Sequence, residues 1–401
     1  MIHRFAKIEF MNTGKYVFSQ IVLYLPARVF DRCVEHYDGN KYVKHFTCWN
    51  QLLCMMFGQI SSRESLSDLL MSINPHKAKF YHLGFGKNVS KSQLAFSNEK
   101  RDYRIFEEFA YAMINKARDC ALPDSDFKLD IAGPVYAFDA TLVELCLNVF
   151  WWAKYKSTSG AVKIHTLIDV KTSIPCFVHI TPGAVHDVRG LDVLEYENGG
   201  FYVLDRGYFD FRRLFVIHSH GAFFVTRPRK NFVFNRVESR KVKKTKGILV
   251  DQTITLSSFY SLQGYPIPLR RIKFFDEETQ KRFVFITNNF ELPAESIALL
   301  YKYRWKIELF FKWIKQHLKV KSFWGTSANA VRIQIYSAII TYTLIVVIKS
   351  KLKCTLSNYE VLQILSISLL DKELLKDLLS NSVNQDVKER NFNQLKFDLF
   401  L

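Results

Sequence analysis

The segment Tyr301-Lys-Tyr-Arg304-Trp-Lys-Ile-Glu308-Leu-Phe-Phe-Lys-Trp-Ile-Lys315 sets four polar side chains at spacings of 3, 4 and 7. The run from Pro293 to Leu318 reads as one long helix, with Pro293 suited to its start. At ~100° per residue, Tyr301, Arg304, Glu308 and Lys315 fall at azimuths of about 0°, 300°, 340° and 320°, a stripe about 60° wide. A solvated helix scatters its charges. A single carboxylate flanked by two cations suits a different task, in which the acid holds a metal ion and the cations hold an anionic phosphate. A surface helix with an (i, i+4) pair of Arg304 and Glu308 would give the same spacing.

Two more acids have contexts that match. Val135-Tyr-Ala-Phe-Asp139 and Phe201-Tyr-Val-Leu-Asp205 both read as apolar strands ending in an aspartate. Such strands hold a carboxylate rigidly at the rim of a cleft, and paired divalent ions need several hard oxygen ligands from separate elements. Aspartates also end strands simply as turn residues.

Around these acids the chain changes character three times. Residues 1 to 130 read as helical. Trp49, Leu52, Leu53, Met56, Phe57 and Ile60 recur at helix spacing, Ser61 and Glu64 suit a capping box for a second helix, and the pair suits a helix-turn-helix DNA reader. A longer helix carries Tyr103, Phe106, Phe109, Met113, Ile114 and Ala117. Strands are expected at 163–170, 175–181 and 222–226, with short helices at 187–195 and 211–218, which makes a mixed sheet covered by helices. Between Arg227 and Lys246 stand nine Lys or Arg against Glu238 alone, followed by strand-like pieces at 252–256, 269–275 and 282–287. This reads as a β-rich insertion with a basic face, in which Lys241, Lys243 and Lys244 are candidate DNA contacts; a solvated basic loop has the same composition. The last 80 residues read as helical, with a polar tail from Asn381.

The whole chain points the same way. Its 401 residues carry 56 Lys and Arg against 38 Asp and Glu, a formal charge of +18 that attracts polyanions. Hydrophobic residues at 48% exclude a disordered chain. Seven cysteines without a C-x-x-C pair argue against a zinc site or a disulfide framework and fit a reducing cytosol. The apolar run from Ile333 to Ile348 is shorter than the ~20 residues of a spanning helix and contains Gln334 and Ser337, so a buried core helix is expected and no membrane partner. Gly84, Gly86 and Lys87 do not complete a phosphate-binding loop, because Tyr81 and Asn88 occupy positions that such a loop gives to Gly and to Ser or Thr. Residues 1 to 10 match no expected element, so Met11 is a candidate start.

Taken together, the motifs resemble the DDE transposases of bacterial insertion sequences, in the insertion sequence 4 family. That family carries Y-x2-R-x3-E-x6-K around its third acid, matched here without a break by Tyr301, Arg304, Glu308 and Lys315. Phe138-Asp139-Ala-Thr141, Leu204-Asp205-Arg-Gly-Tyr208, Gly160 to His165 and Gly325 to Ala330 also look like family segments. The resemblance implies an α+β, multidomain architecture. A helical N-terminal DNA-binding domain (1–130) would precede an RNase H-like, retroviral-integrase-like core (131–228 and 291–332). The core would be interrupted by the basic β-rich insertion (229–290) and followed by a helical C-terminal region (333–401).

The resemblance further implies a cut-and-paste transposase with Asp139, Asp205 and Glu308 holding two Mg²⁺, for which Mn²⁺ can substitute. Tyr301, Arg304 and Lys315 would contact phosphate. The expected partners are double-stranded DNA, as terminal inverted repeats and target, and a second copy in a homodimer, in the bacterial cytoplasm at the nucleoid. A structure-selective nuclease on the same fold and a catalytically inactive DNA-binding repressor are the alternatives. Relatives that form hairpins stack a flipped base on a Trp of the insertion. Here no Trp stands between Trp152 and Trp305, and Phe232, Phe234, Phe259 and Tyr260 are the candidates to replace it. His165, His186 and Asp187 lie between the acids in sequence and read as scaffold.

Overall fold

A computed structural model describes residues 14–85, 89–121, 124, 126–157, 159–242, 247–318 and 322–385, with side chains to residue 380. Lys243 and Lys244, the Gly86-Lys87 pair, the Met11 start and most of the tail beyond Asn381 lie outside the described residues. The helices are α1 (Val17–Val22), α2 (Ala27–His36), α3 (Cys48–Ile60), α4 (Leu66–Ile73), α5 (Phe80–Leu83), α6 (Lys91–Lys100), α7 (Arg104–Cys120), α8 (Phe211–Ser219), α9 (Phe259–Gly264), α10 (Ala294–Lys302), α11 (Trp305–His317), α12 (Ala328–Leu352), α13 (Asn358–Ser368) and α14 (Leu375–Gln385). The strands are β1 (Val135–Leu145), β2 (Gly160–Asp169), β3 (Ile174–Pro182), β4 (Phe201–Leu204), β5 (Phe223–Thr226), β6 (Phe234–Ser239), β7 (Ile248–Leu256), β8 (Leu269–Asp276) and β9 (Lys281–Thr287). The architecture is mixed α+β, with a helical N-terminal region, a large mixed sheet and helices at the C-terminus. The chain divides into two compact units: Met1–Cys120 with His317–Gly325 and Asn329–Leu401, and Ala121–Gln316 with Thr326–Ala328.

The helical unit is organised around α3 and α12. Thr47 caps α3 by a reciprocal box with Asn50, whose backbone N–H donates to the Thr47 hydroxyl while its side chain accepts from the Thr47 N–H. Every residue of α3 except Trp49 is buried. Its buried Gln51 is satisfied inside, donating to Asn98 at 2.7 Å and accepting from Arg101 at 2.9 Å. Gly58 is required for close approach, since a Cβ there would lie 2.4 Å from the Trp324 ring. The expected cap of the following helix is corrected. Ser61 ends α3, and Ser65, not Ser61, caps α4 by accepting from the Asp68 N–H at 3.1 Å. Full burial of α3 reflects apolar residues that surround the helix rather than forming one stripe. The 25-residue α12 is long and apolar enough to cross a membrane by composition, yet 89% of its apolar window is buried within the protein.

Among the described residues the sheet unit carries nine strands in one sheet, ordered β3-β2-β1-β4-β5-β9-β8-β7-β6. Strands β1, β2 and β3 form an antiparallel meander, while β4 and β5 run parallel to β1. This order is that of the RNase H-like core. Central β4 is buried on both faces, and a parallel central strand covered on both faces reads as the unbroken apolar run Phe201-Tyr-Val-Leu204. Phe138, Tyr202, Leu204, Leu214, Ile217, Phe224 and Tyr265 form the core between the sheet and α8. The strands from the basic region continue the same sheet, because β9 pairs antiparallel with β5 at Val225 and Thr226.

Three local expectations change. First, β1 does not end at Asp139 but runs on to Leu145, so the first acid lies within a strand. Second, the choice left open between a β-rich insertion and a solvated basic loop falls to a strand at β6, whose residues after Phe234 are exposed, as on a sheet edge. Third, the helix expected from 293 to 318 is two helices. At the break the Arg304, Lys306 and Ile307 N–H groups donate to carbonyls three residues back, a tightened turn. The turn is anchored from outside: the Tyr303 hydroxyl donates to the Asp126 carbonyl and accepts from the Lys128 N–H, both at 2.8 Å. Buried Lys306 donates to Asp124 at 2.7 Å and to the Val170 carbonyl at 3.1 Å.

Candidate active site

Register brings the first two acids together. The parallel pair of β1 and β4 aligns Phe138 with Leu204, so the next residues on the two strands are Asp139 and Asp205. Adjacent strands lie about 4.8 Å apart, which places both aspartates side by side where β4 ends. Asp205 begins the short turn Arg206–Tyr208, which returns the Tyr208 hydroxyl to 3.4 Å from Asp139 Oδ1. The backbone N–H of Ala140 donates to the same oxygen at 2.8 Å.

The break between α10 and α11 brings the third acid and its neighbours to that rim. The Tyr301 hydroxyl donates to Asp205 Oδ1 at 3.0 Å. The Arg304 guanidinium pairs with Asp139 Oδ2 at 3.6 Å and with Glu308 Oε1, so one cation bridges the first and third acids. Lys315 donates to the Leu142 carbonyl at 2.8 Å, beside the strand that carries Asp139. Lys241 is exposed in the basic segment after β6.

The electrostatics follow from this crowding. Burial pushes the Asp139 carboxyl up to about 6, with the charges of Asp205 and Glu308 adding to the rise and the Ala140 N–H and Arg304 opposing it. Burial, together with the Asp205 charge, raises the Tyr301 phenol to about 12, so it stays a donor to Asp205. Burial acts against the Arg304 charge, but Tyr301, Glu308 and Asp205 outweigh it and raise the guanidinium further. Among the described residues, no three His, Cys, Asp or Glu side chains converge closely enough to enclose one ion. Arg304 stands between two of the acids. The donors are nevertheless three carboxylate groups, the hard oxygen chemistry that Mg²⁺ takes. A raised buried carboxyl among like charges marks a site that gains from added positive charge, so the residues fit a divalent ion.

Tyr208, Thr226 and Arg227 join the site without having been singled out in the sequence. The Thr226 hydroxyl donates to the Asp205 carbonyl at 3.3 Å, and the Arg227 charge reaches Tyr301. Tyr208 had a signal, the Asp-Arg-Gly-Tyr run itself; Thr226 and Arg227 had none, because only the pairing of β4 with β5 brings them near Asp205. His165 is scaffold: it is fully buried, its Nε2 lies 3.0 Å from the Thr181 hydroxyl, and burial lowers it to about 4. His186 accepts from the Val188 N–H at 3.3 Å, and Asp187 pairs with Lys163 at 2.5 Å. Of the four aromatic candidates in the basic region, Phe232 and Phe234 stack on each other at 5.2 Å, whereas Phe259 and Tyr260 are 75% and 81% exposed.

Residues 131–344 match the Transposase DDE domain family, and residues 13–86 match a domain of unknown function, DUF4372. The chain is 38% identical over 200 residues to the putative transposase y4zB of Sinorhizobium fredii, covering 48% of this chain and 55% of that protein. It is 32% identical over 216 residues to the probable transposase for insertion sequence element IS5377 of Geobacillus stearothermophilus, covering 53% and 56%. A putative transposase for insertion sequence element IS4SA of Synechocystis sp. is 25% identical over 272 residues, covering 65% of this chain and 72% of that one. The chain thus spans about half the length of the first two of these relatives. A piggyBac transposase synaptic complex with hairpin DNA aligns at a TM-score of 0.45 and 10% identity, over 94% of this chain and 84% of that one. With just over half of its residues matched by the family model, the chain belongs to the Transposase DDE domain family.

Proposed function

We propose that the protein is a DNA transposase that binds the inverted-repeat ends of its insertion sequence and catalyses metal-dependent strand cleavage and strand transfer. The observation that carries this reading is the convergence of Asp139, Asp205 and Glu308 at one sheet rim, with Tyr301 and Arg304 bonded to them. Asp139, Asp205 and Glu308 would hold the metal, two Mg²⁺ ions or Mn²⁺ in their place. When bound, the ions supply Lewis acidity at the scissile phosphate and a water or 3′-hydroxyl of lowered pKa for in-line displacement.

The chain's own side chains prepare that chemistry. Tyr301 fixes the rotamer of Asp205, and Tyr208 and the Ala140 N–H fix that of Asp139. Arg304 keeps the acids apart at rest and takes the phosphate when DNA binds, since a guanidinium pairs equally well with carboxylate and phosphate. Lys315 keeps a positive charge beside β1. The helical residues 1–130 serve as the DNA-binding domain, residues 131–228 and 291–332 as the catalytic core, 229–290 as the basic insertion and 333–401 as the C-terminal region. Lys241, Lys243 and Lys244 of the insertion contact the DNA backbone. The protein works as a homodimer on terminal repeats and target DNA, in the bacterial cytoplasm at the nucleoid. If a hairpin step occurs, Phe259 and Tyr260 are the aromatics of the insertion with rings open to a base.

The test uses purified protein, Mg²⁺ and DNA carrying the ends that flank this gene, with Glu308→Gln beside the wild type. Cleavage at the element boundary by the wild type alone is expected. Cutting that ignores the boundary would point to a shape-selective nuclease, and boundary binding without cutting to a repressor.

A further inference from the structure

The hairpin joining β1 to β2 holds a feature that the acids do not use. Strand β1 runs six residues past Asp139, about 20 Å at 3.3–3.4 Å per residue, beyond the end of β4 where the acids gather. At its tip, Trp151 is 79% exposed. The tip is nonetheless built. The N–H groups of Val149 and Phe150 donate to the Cys146 carbonyl at 3.0 and 2.9 Å, and that of Ala153 donates to Phe150 at 2.9 Å. Trp152 donates its indole N–H to the Thr326 carbonyl at 2.7 Å. Lys154 bridges to Gly160, and Tyr155 packs against Gly183. Lys154 and Lys156, three and five residues after Trp151, are exposed, and the last acid before them is Glu144 on β1.

An exposed indole on an ordered turn, followed closely by two exposed cations, is matched to nucleic acid. Its π-face stacks on an unpaired base, and the cations pair with nearby phosphates. Because the support is already ordered, little conformational entropy is lost on binding. A second copy of the chain would be repelled by the same lysines.

Building on the transposase reading, we infer that the Trp151 tip is a second DNA contact, engaging the flank of the bound DNA some distance from the cut. With a rise of about 3.4 Å per nucleotide along the DNA axis, 20 Å corresponds to roughly six nucleotides from the scissile phosphate.

The test measures dissociation constants by fluorescence anisotropy without divalent metal, on duplexes from the element ends that carry a single-stranded flank of 2–12 nucleotides beyond the boundary. Wild type is expected to tighten about tenfold once the flank exceeds about six nucleotides, the size of a single stacking contact. Trp151→Ala should lose that step while binding short-flanked duplexes as wild type does, and Trp151→Phe should keep most of it. A step that survives in Trp151→Ala, or a variant whose only change is its oligomeric state by size exclusion, overturns the inference and makes the tip a protein contact or an idle turn. A wild type that binds long-flanked duplexes without any step overturns the inference alone. A wild type that binds no element DNA overturns the transposase reading with it.

Discussion

Glu308 is the acid most open to solvent, and it pairs with Arg304. Glu308→Gln keeps the shape and removes the charge. Loss of a group that merely orients a metal ligand costs 10–100-fold, so loss of a ligand itself should lower cleavage by more than about a hundredfold with DNA affinity little changed. Single-turnover cleavage beside anisotropy binding measures both. Asp139 makes a separate prediction through pH. Its carboxyl rises from 3.8 in the unfolded chain to about 6 in the fold, so the folded state holds the extra proton between those values. The contribution of Asp139 to the stability of the metal-free protein is therefore fully present below about pH 4 and is lost as pH rises through 6. Urea melts across this window should show that loss in the stability difference between wild type and Asp139→Asn. Metal binding needs the carboxylate, so Mn²⁺ affinity by calorimetry should weaken as pH drops through 6.

At the scale of elements, the anchored turn between α10 and α11 decides where Glu308 points. Lys306 is 4% exposed and enters this turn from the inside, reaching Asp124 and the Val170 carbonyl. Breaking a buried pair by removing one partner costs 3–5 kcal/mol, and an exposed pair is worth about 1 kcal/mol or less. Asp124 keeps part of its surface in water, so Lys306→Met should cost about 2 kcal/mol at neutral pH by denaturant titration. Burial alone would raise the Asp124 carboxyl, but Lys306 and the neighbouring donors overcome it and hold it below 3.8. The stabilisation is thus present above that value and is lost as pH falls through the folded one, so the gap between wild type and Lys306→Met should close in acid. Cleavage should also fall in this variant at unchanged DNA affinity, because α11 carries Glu308 while the sheet carries Asp139 and Asp205.

For the whole molecule the governing quantity is the charge of +18. If about six phosphates are neutralised, DNA affinity should drop by about three orders of magnitude between 50 and 200 mM salt. Lys241→Glu should flatten the slope of log affinity against log salt, as loss of one phosphate contact would, without changing the preference for the element's ends. Affinities of wild type and variant at four salt concentrations give both slopes, and equal slopes would remove Lys241 from the interface.

The spacing of Tyr301, Arg304, Glu308 and Lys315, the apolar strands before Asp139 and Asp205 and the basic run after Arg227 were all legible in the sequence, because motif spacing and binary pattern are local properties. So was the burial of α12, whose apolar residues surround the whole helix. Other features could not be read there, because each depends on residues distant along the chain. The helix through Arg304 breaks because Tyr303 and Lys306 bond to residues 124, 126, 128 and 170, which no periodicity of the helix reveals. Strand β1 outruns Asp139 because β2 offers it partners as far as Gly160. Asp139 and Asp205 become neighbours only through the register of β1 with β4, and Arg304 meets both Asp139 and Glu308 only once the turn is in place. The sequence alone therefore determined which side chains are candidates for the chemistry; the tertiary structure decided their juxtaposition, since strand register and buried hydrogen bonds are set by contacts across the chain rather than along it.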